Sequence, residues 1–426
     1  MNILIVGNGF DLSHYLPTKY DHFMVTMDAI EKWDILKGDM GFDDLFEKDY
    51  FFKNEETGEE WQNSFFQHTK EMYKTDEIKI SVDQIKVLKE QLKDNVWYQY
   101  FSDHVREVKT WIDFEQQISE LLLVLTKTIP VINEINLSKK VSIHRTKLVS
   151  QIGERSFDIL NFFNVFDKAA TYCSYNSKFC YAKNQENGFN ISGFIEFIYI
   201  QLEDFIKLFN SYLVLIVDEL NHKDEFSIVK ENWKIPDKIY SFNYTNSYHK
   251  FYKEISIDFL HGKLGKQQNI VLGISDLEES LSKLKAFGFT KYHQKLFKDT
   301  DYLFLDKKVS KVKLYKNNFS DYKRDYGHQS IQQFNETISR LESLDLNIEV
   351  WGHSLDVSDQ DYIKDLFSLN DDIDRNVRVT VYYFDSNAKF SLLNNLLGIL
   401  KKDKVEHWMK NGWLKFEENP KINFGI

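Results

Sequence analysis

The sequence predicts an α/β protein built on a mostly parallel sheet and interrupted by a large helical insertion. Three observations carry that prediction. The chain opens with a short apolar strand, Asn2-Ile3-Leu4-Ile5-Val6, that runs straight into Gly7-Asn8-Gly9 and then into a helical pattern. Strand signals return only after about residue 236, as short apolar runs rich in β-branched and aromatic residues, each closed by a polar or glycine-containing turn. Between about 43 and 235 turn signals are few, and apolar residues recur at three- and four-residue spacing between charges, the pattern of helices packed on one face.

Each element follows from these patterns. At the first turn Gly7 is expected to adopt backbone angles closed to other residues, and Gly9 to let a ligand approach the main chain at the next helix's N-terminus. Leu12 stands where a dinucleotide fingerprint would place its third glycine, and Asp11 puts a carboxylate where a pyrophosphate would lie, which argues against a hydride-transferring dehydrogenase. The plainer reading is a tight turn with Asp11 as helix N-cap. Tyr20 to Trp33, Val82 to Phe101, Phe114 to Leu125, Ser138 to Ile152 and Ile191 to Leu220 read as helices, and their aromatic residues as core. Strands are expected at 238–243, 257–260, 269–273, 347–352 and 377–384. The expected division is a nucleotide-binding core of 1–42 plus 236–400, a helical insertion at 43–235, a lid or second insertion at 280–341, and a C-terminal segment at 401–426.

Composition narrows the class. At 426 residues the chain can bury a large core, and 42% hydrophobic with 28% charged residues is ordinary for a globular protein. The excess lies in 35 Phe and 23 Tyr beside 4 Pro, which permits long helices. A net charge of −11 argues against a broad nucleic-acid footprint. Cys173 and Cys180 are too few for a disulfide framework or a four-cysteine zinc site and are read as reduced thiols. With no signal-peptide pattern and no run of about 18 to 20 apolar residues, the protein is expected to be soluble and cytoplasmic, without a membrane partner.

In open α/β sheets ligands sit beyond the carboxyl ends of strands. Those ends carry Gly7-Asn8-Gly9, Asn243-Tyr244-Thr245, His261-Gly262-Lys263 and Gly352-His353-Ser354. Asn243 either orients a water or ribose hydroxyl or caps the helix near Thr245. His261 ends a strand-like run and can serve as a general base near neutral pH, or be a structural histidine. Lys263 either meets a phosphate or lies in solvent. Gly352 permits close approach, Ser354 or nearby amides can hold a ribose or phosphate, and Asp359 reads as N-cap of the following helix. Asp356 replaces the second glycine of a hydrolase elbow. Asp113 and Glu115 read as carboxylates favoured at a helix start.

Taken in order, Gly7-Asn8-Gly9-Phe10-Asp11-Leu12, Leu16-Pro17-Thr18, Trp111 through Glu115, Ser241-Phe242-Asn243-Tyr244-Thr245, His261-Gly262-Lys263, Val271-Leu272-Gly273 and Gly352-His353-Ser354-Leu355 through Asp359 resemble the AbiH family of bacterial phage abortive-infection proteins. More distantly they resemble the SIR2-like, Rossmann-like fold, in which such turns surround NAD. That resemblance implies candidate nucleotide-binding positions at Gly7, Asn8, Gly9, Phe10, Asp11, Thr245, Gly352, His353 and Ser354, with Asn243 and His261 as the catalytic pair. Asp11 stands where that fold often has serine, Phe242 replaces a glutamine, and no four-cysteine zinc ribbon is present, so a sirtuin-type deacylase is not implied. The expected activity is hydrolysis of the nicotinamide–ribose bond of NAD, with no metal, under control of a phage-derived trigger, self-association or a defence-system partner. The alternatives are a non-catalytic nucleotide sensor and a toxin acting on nucleic acid, with Asp11 and Glu115 holding Mg²⁺.

Overall fold

Among the described residues the central sheet has six strands, all parallel, at β1 (Asn2–Val6), β2 (Lys238–Ser241), β3 (Ile257–Phe259), β4 (Leu346–Trp351), β5 (Val377–Tyr383) and β6 (Leu414–Glu418), in the spatial order β3-β2-β1-β4-β5-β6. This is the Rossmann order 3-2-1-4-5-6, in which the direction of winding reverses between β1 and β4. A computed structural model describes residues 1–53, 60–62, 64–103, 111–137, 142–166, 171–181, 188–300, 304–305, 343–371 and 374–425.

The strand sequences explain the layering. Along β1 successive side chains point to opposite faces, so Ile3 and Ile5 join one core while Leu4 and Val6 join another. The first core continues through Ile348 and Val350 of β4 and Val379 and Val381 of β5, and is covered by helices at Gln360–Ser368, Ser386–Leu400 and Lys402–Lys410. The second holds Phe10, Ile239, Tyr248 and Trp351. Burial on both faces is why β1 reads as an apolar run, whereas β4 and β5 alternate buried Ile348, Val350, Val379 and Val381 with the less buried Asn347, Glu349, Arg378 and Thr380.

The insertion is helical, as expected, with α1 (Val82–Asp94), α2 (Val96–Asp103), α3 (Trp111–Leu137) and α4 (Ile191–Tyr212) among its helices. Asn95 divides the helix expected from Val82 to Phe101, and its side chain caps the second half by accepting from Tyr98 N. The aromatic residues are core: Phe205 is fully buried, 4.9 Å from Phe114, 5.3 Å from Phe101 and 5.6 Å from Phe23, centroid to centroid. No helix among the described residues is long and apolar enough to cross a membrane.

Two expectations are corrected. Residues 269–273 are not a strand, because the Gln294 side chain satisfies the backbone there, accepting from Leu272 N at 3.0 Å and donating to Leu272 O at 2.8 Å. Beyond residue 400 the chain forms a helix and then β6, which pairs with β5 as an edge strand of the core sheet. Most of 280–341 lies outside the described residues; its opening part includes α5 (Lys291–Phe297).

Candidate functional site

The turns after β1 and β4 interlock. Gly7 N donates to Trp351 O at 3.1 Å and Gly9 N to Gly352 O at 2.8 Å. A Cβ on Gly7 would stand 2.5 Å from His353 Cα, one on Gly9 2.7 Å from Gly352 Cα, and one on Gly352, whose φ is +74°, 2.0 Å from Phe10 N. The room left by the missing side chains is therefore filled by the opposite turn. Gly7 itself has ordinary extended angles, φ −125° and ψ −176°, so the expectation of an unusual backbone there is corrected. Its requirement is for close approach alone.

Asp11 does not cap a helix either. The first helix spans Asn8–Ser13 with Gly7 at the N-cap position, and the Asp11 carboxylate accepts from Thr245 Oγ1 and Ser247 Oγ, each at 2.5 Å. Burial raises its pKa to about 6, against the lowering influence of those two hydroxyls, of the Asn243 side chain and of Lys250. The Asn243 amide, buried beside it, has no well-formed hydrogen bond at either Oδ1 or Nδ2.

Next to this lies a buried charge cluster at the carboxyl ends of β2, β3 and β4. Asp359 is its centre. One carboxylate oxygen, Oδ1, is 3.0 Å from His261 Nε2 and 3.3 Å from Lys291 Nζ, and the other, Oδ2, is 3.4 Å from His353 Nε2. Lys291 Nζ also lies 2.9 Å from Glu115 Oε1. His353 Nδ1 accepts from Leu355 N at 3.0 Å, which leaves its proton on Nε2, facing Asp359. The Phe242 ring packs against both histidines, its centroid 5.1 Å from that of His261 and 4.0 Å from that of His353. Lys295 Nζ donates to Tyr362 Oη at 2.7 Å at the edge of the same group.

The electrostatics follow from burial and pairing. Burial would raise Asp359, but Lys291, then His261 and His353, outweigh it and hold the carboxyl well below its ordinary range. Burial lowers His261 to about 4 although Asp359 opposes this, so its imidazole is neutral at pH 7. Burial raises Glu115 to about 7, and lowers Lys295 to about 8. Lys291 is raised because the two carboxylates together overcome the effect of burial. An ionised Asp359 beside a neutral imidazole can stabilise the imidazolium formed when that ring takes a proton.

The structure thus brings His261 and His353 together on Asp359, sets Asn243 beside Asp11, and joins Asp11 to Thr245. It places the Ser354 side chain in solvent and Asn8 half-buried, outside the cluster, while Phe10 packs in the core at 5.1 Å from Trp351. Asp359 stands at the N-cap position of the Gln360–Ser368 helix but makes no side-chain cap bond; the cluster has taken its carboxylate instead. Glu115 lies in the first turns of α3, yet its carboxylate serves Lys291. Lys291 and Lys295 carried no signal in the sequence. Among the described residues no group of three or more His, Cys, Asp or Glu side chains is arranged to hold a metal ion. Surface pockets of about 330 and 250 Å³ border α3 near Ser119 and Leu123, and neither is lined by a residue of the cluster.

Compared with known proteins, residues 3–383 match the family model described as bacteriophage abortive infection AbiH. No curated protein and no solved structure matches the chain.

Proposed function

Because the chain belongs to the AbiH family of bacteriophage abortive-infection proteins, we propose that it serves its antiphage role as an effector that binds NAD or a related nucleotide and hydrolyses the nicotinamide–ribose bond. The observation that supports this reading is Asn243 buried beside Asp11, without a well-formed hydrogen bond, just past the end of β2, and His261 on ionised Asp359 just past the end of the adjacent β3. Ligands of open α/β sheets bind at that edge, and an unsatisfied buried amide is costly unless a bound group or water completes it.

In this mechanism Asn243 orients the ribose or the attacking water. The C–N bond breaks with its electron pair passing to the nicotinamide ring, which leaves neutral, and the ribose passes through an oxocarbenium-like state. Water oxygen bonds to the anomeric carbon and gives its proton to neutral His261, whose imidazolium Asp359 stabilises. A positioned base of this kind contributes on the order of 10² to 10⁴ in rate. The interlock of Gly7 and Gly9 with Gly352 steers the phosphates to the β2 side of β1 or requires the two turns to part. Phe242, packed against both histidines, moves aside for a ribose to reach them. Opening is thus the step at which a phage-derived trigger, self-association or a partner protein acts.

The test is nicotinamide release by purified protein, wild type beside Asn243→Ala and His261→Ala, with and without lysate of infected cells. Release abolished by both substitutions is the expected result. Binding without turnover in every condition would replace hydrolysis with sensing. Absence of both binding and turnover would refute the reading, and nuclease activity lost on adding EDTA would assign the toxin alternative.

A further inference from the structure

Most of the cluster comes from the sheet edge and the segments beside it, but Glu115 comes from α3, inside the helical insertion. Resting on the reading of the site given above, we propose that Glu115 is a positioning residue that acts through Lys291 to set how much negative charge Asp359 turns toward His261 and His353.

The geometry gives the route. Lys291 Nζ sits between Glu115 Oε1 at 2.9 Å and Asp359 Oδ1 at 3.3 Å, and that same Oδ1 is 3.0 Å from His261 Nε2. Lys291 and His261 therefore share one oxygen. When Glu115 is ionised, the ammonium divides its attraction between two carboxylates, and Asp359 presents more negative charge to the imidazoles. When Glu115 is protonated, Lys291 is held by Asp359 alone and its charge masks that oxygen. All three ionic side chains are largely buried, so solvent screens the exchange little.

The groups facing Glu115 keep both states within reach. Lys291 and Lys295 face it from α5, Asp356 and Asp359 from the turn after β4, and Tyr244 from the turn after β2. Burial raises Glu115 to about 7, Lys291 opposes this, and Asp359 and Asp356 push it further up. The helical insertion thereby carries a proton-dependent contact into the catalytic edge.

The full-length protein, labelled with ¹⁵N at histidine, provides the test. Imidazole resonances of His261 and His353 are assigned from His261→Ala and His353→Ala and followed from about pH 5.5 to 8.5, around the Glu115 midpoint. Both should show an inflection near pH 7 that is lost in Glu115→Gln, which keeps the shape and the Lys291 contact but not the charge. The pH profile of nicotinamide release should lose its neutral limb in the same variant. Should Glu115→Gln fail to fold, Glu115→Asp draws the carboxylate back by one methylene and should move the midpoint. An inflection absent from wild type, or surviving in Glu115→Gln at full amplitude, overturns the proposal. If the resonances behave as expected but wild type releases no nicotinamide, NAD cleavage falls and the role of Glu115 stands.

Discussion

Replacing Asp11 by Asn should remove a pH dependence of stability whose size the structure sets. Asp11 is 1% exposed, and its pKa rises from 3.8 to about 6 in the fold. A raised carboxyl favours the protonated folded state, so its contribution is fully present below pH 3.8 and is lost as pH rises through about 6. The whole rise corresponds to roughly 3 kcal/mol, with Asp11 pKa moving from 3.8 to about 6. Between pH 7.5 and pH 5 wild type should gain about 1.4 kcal/mol from this group. An asparagine does not titrate, and its amide can still donate to one of the Thr245 and Ser247 hydroxyls while its oxygen accepts from the other. Urea unfolding of the two proteins at both pH values, followed by circular dichroism, gives the difference. The variant should match or exceed wild type at pH 7.5, with its advantage shrinking by about 1.4 kcal/mol at pH 5. Parallel pH dependences would refute the reasoning, because Asp11 would then ionise as freely in the fold as in the unfolded chain.

Two further outcomes follow from the same region. Gly352→Ala places a Cβ 2.0 Å from Phe10 N at φ +74°, so it should cost at least ~3 kcal/mol, read as a lowered melting temperature. Lys291→Met leaves the Glu115 and Asp359 carboxylates without their shared cation and should destabilise by about 3 to 5 kcal/mol at pH 8. Thermal melting at pH 5.5 should show a smaller loss, since Glu115, with its pKa raised to about 7, is then protonated.

The fold was legible where burial wrote a local pattern. β4 and β5 announce themselves because Ile348, Val350, Val379 and Val381 face a core, and β1 because both of its faces are covered. β6 was missed because an edge strand such as Leu414–Glu418 alternates apolar with charged residues and is short. Residues 269–273 have strand composition, but what satisfies their backbone is the side chain of Gln294. The same distinction governs the site. Asn243, His261 and His353 were singled out because strand ends are identifiable positions. Asp359 and Glu115 looked like helix-start carboxylates, since local sequence cannot distinguish a carboxylate that caps from one that reaches a distant lysine. Lys291 has its partners 176 and 68 positions away, at Glu115 and Asp359, so no spacing rule within the chain points to it.

The order of strands also sets a timetable for synthesis. β1 leaves the ribosome first, yet its neighbours begin at Lys238 and Leu346, so the innermost strand waits for both flanks. At about 5 to 20 residues per second, β4 follows β1 by roughly 17 to 70 seconds. Through that interval neither His353 nor Asp359 has been made, and the histidine pair cannot assemble on its carboxylate. A chain whose translation stops before residue 353 therefore lacks both His353 and Asp359, and with them the buried carboxylate that His261 meets in the finished fold.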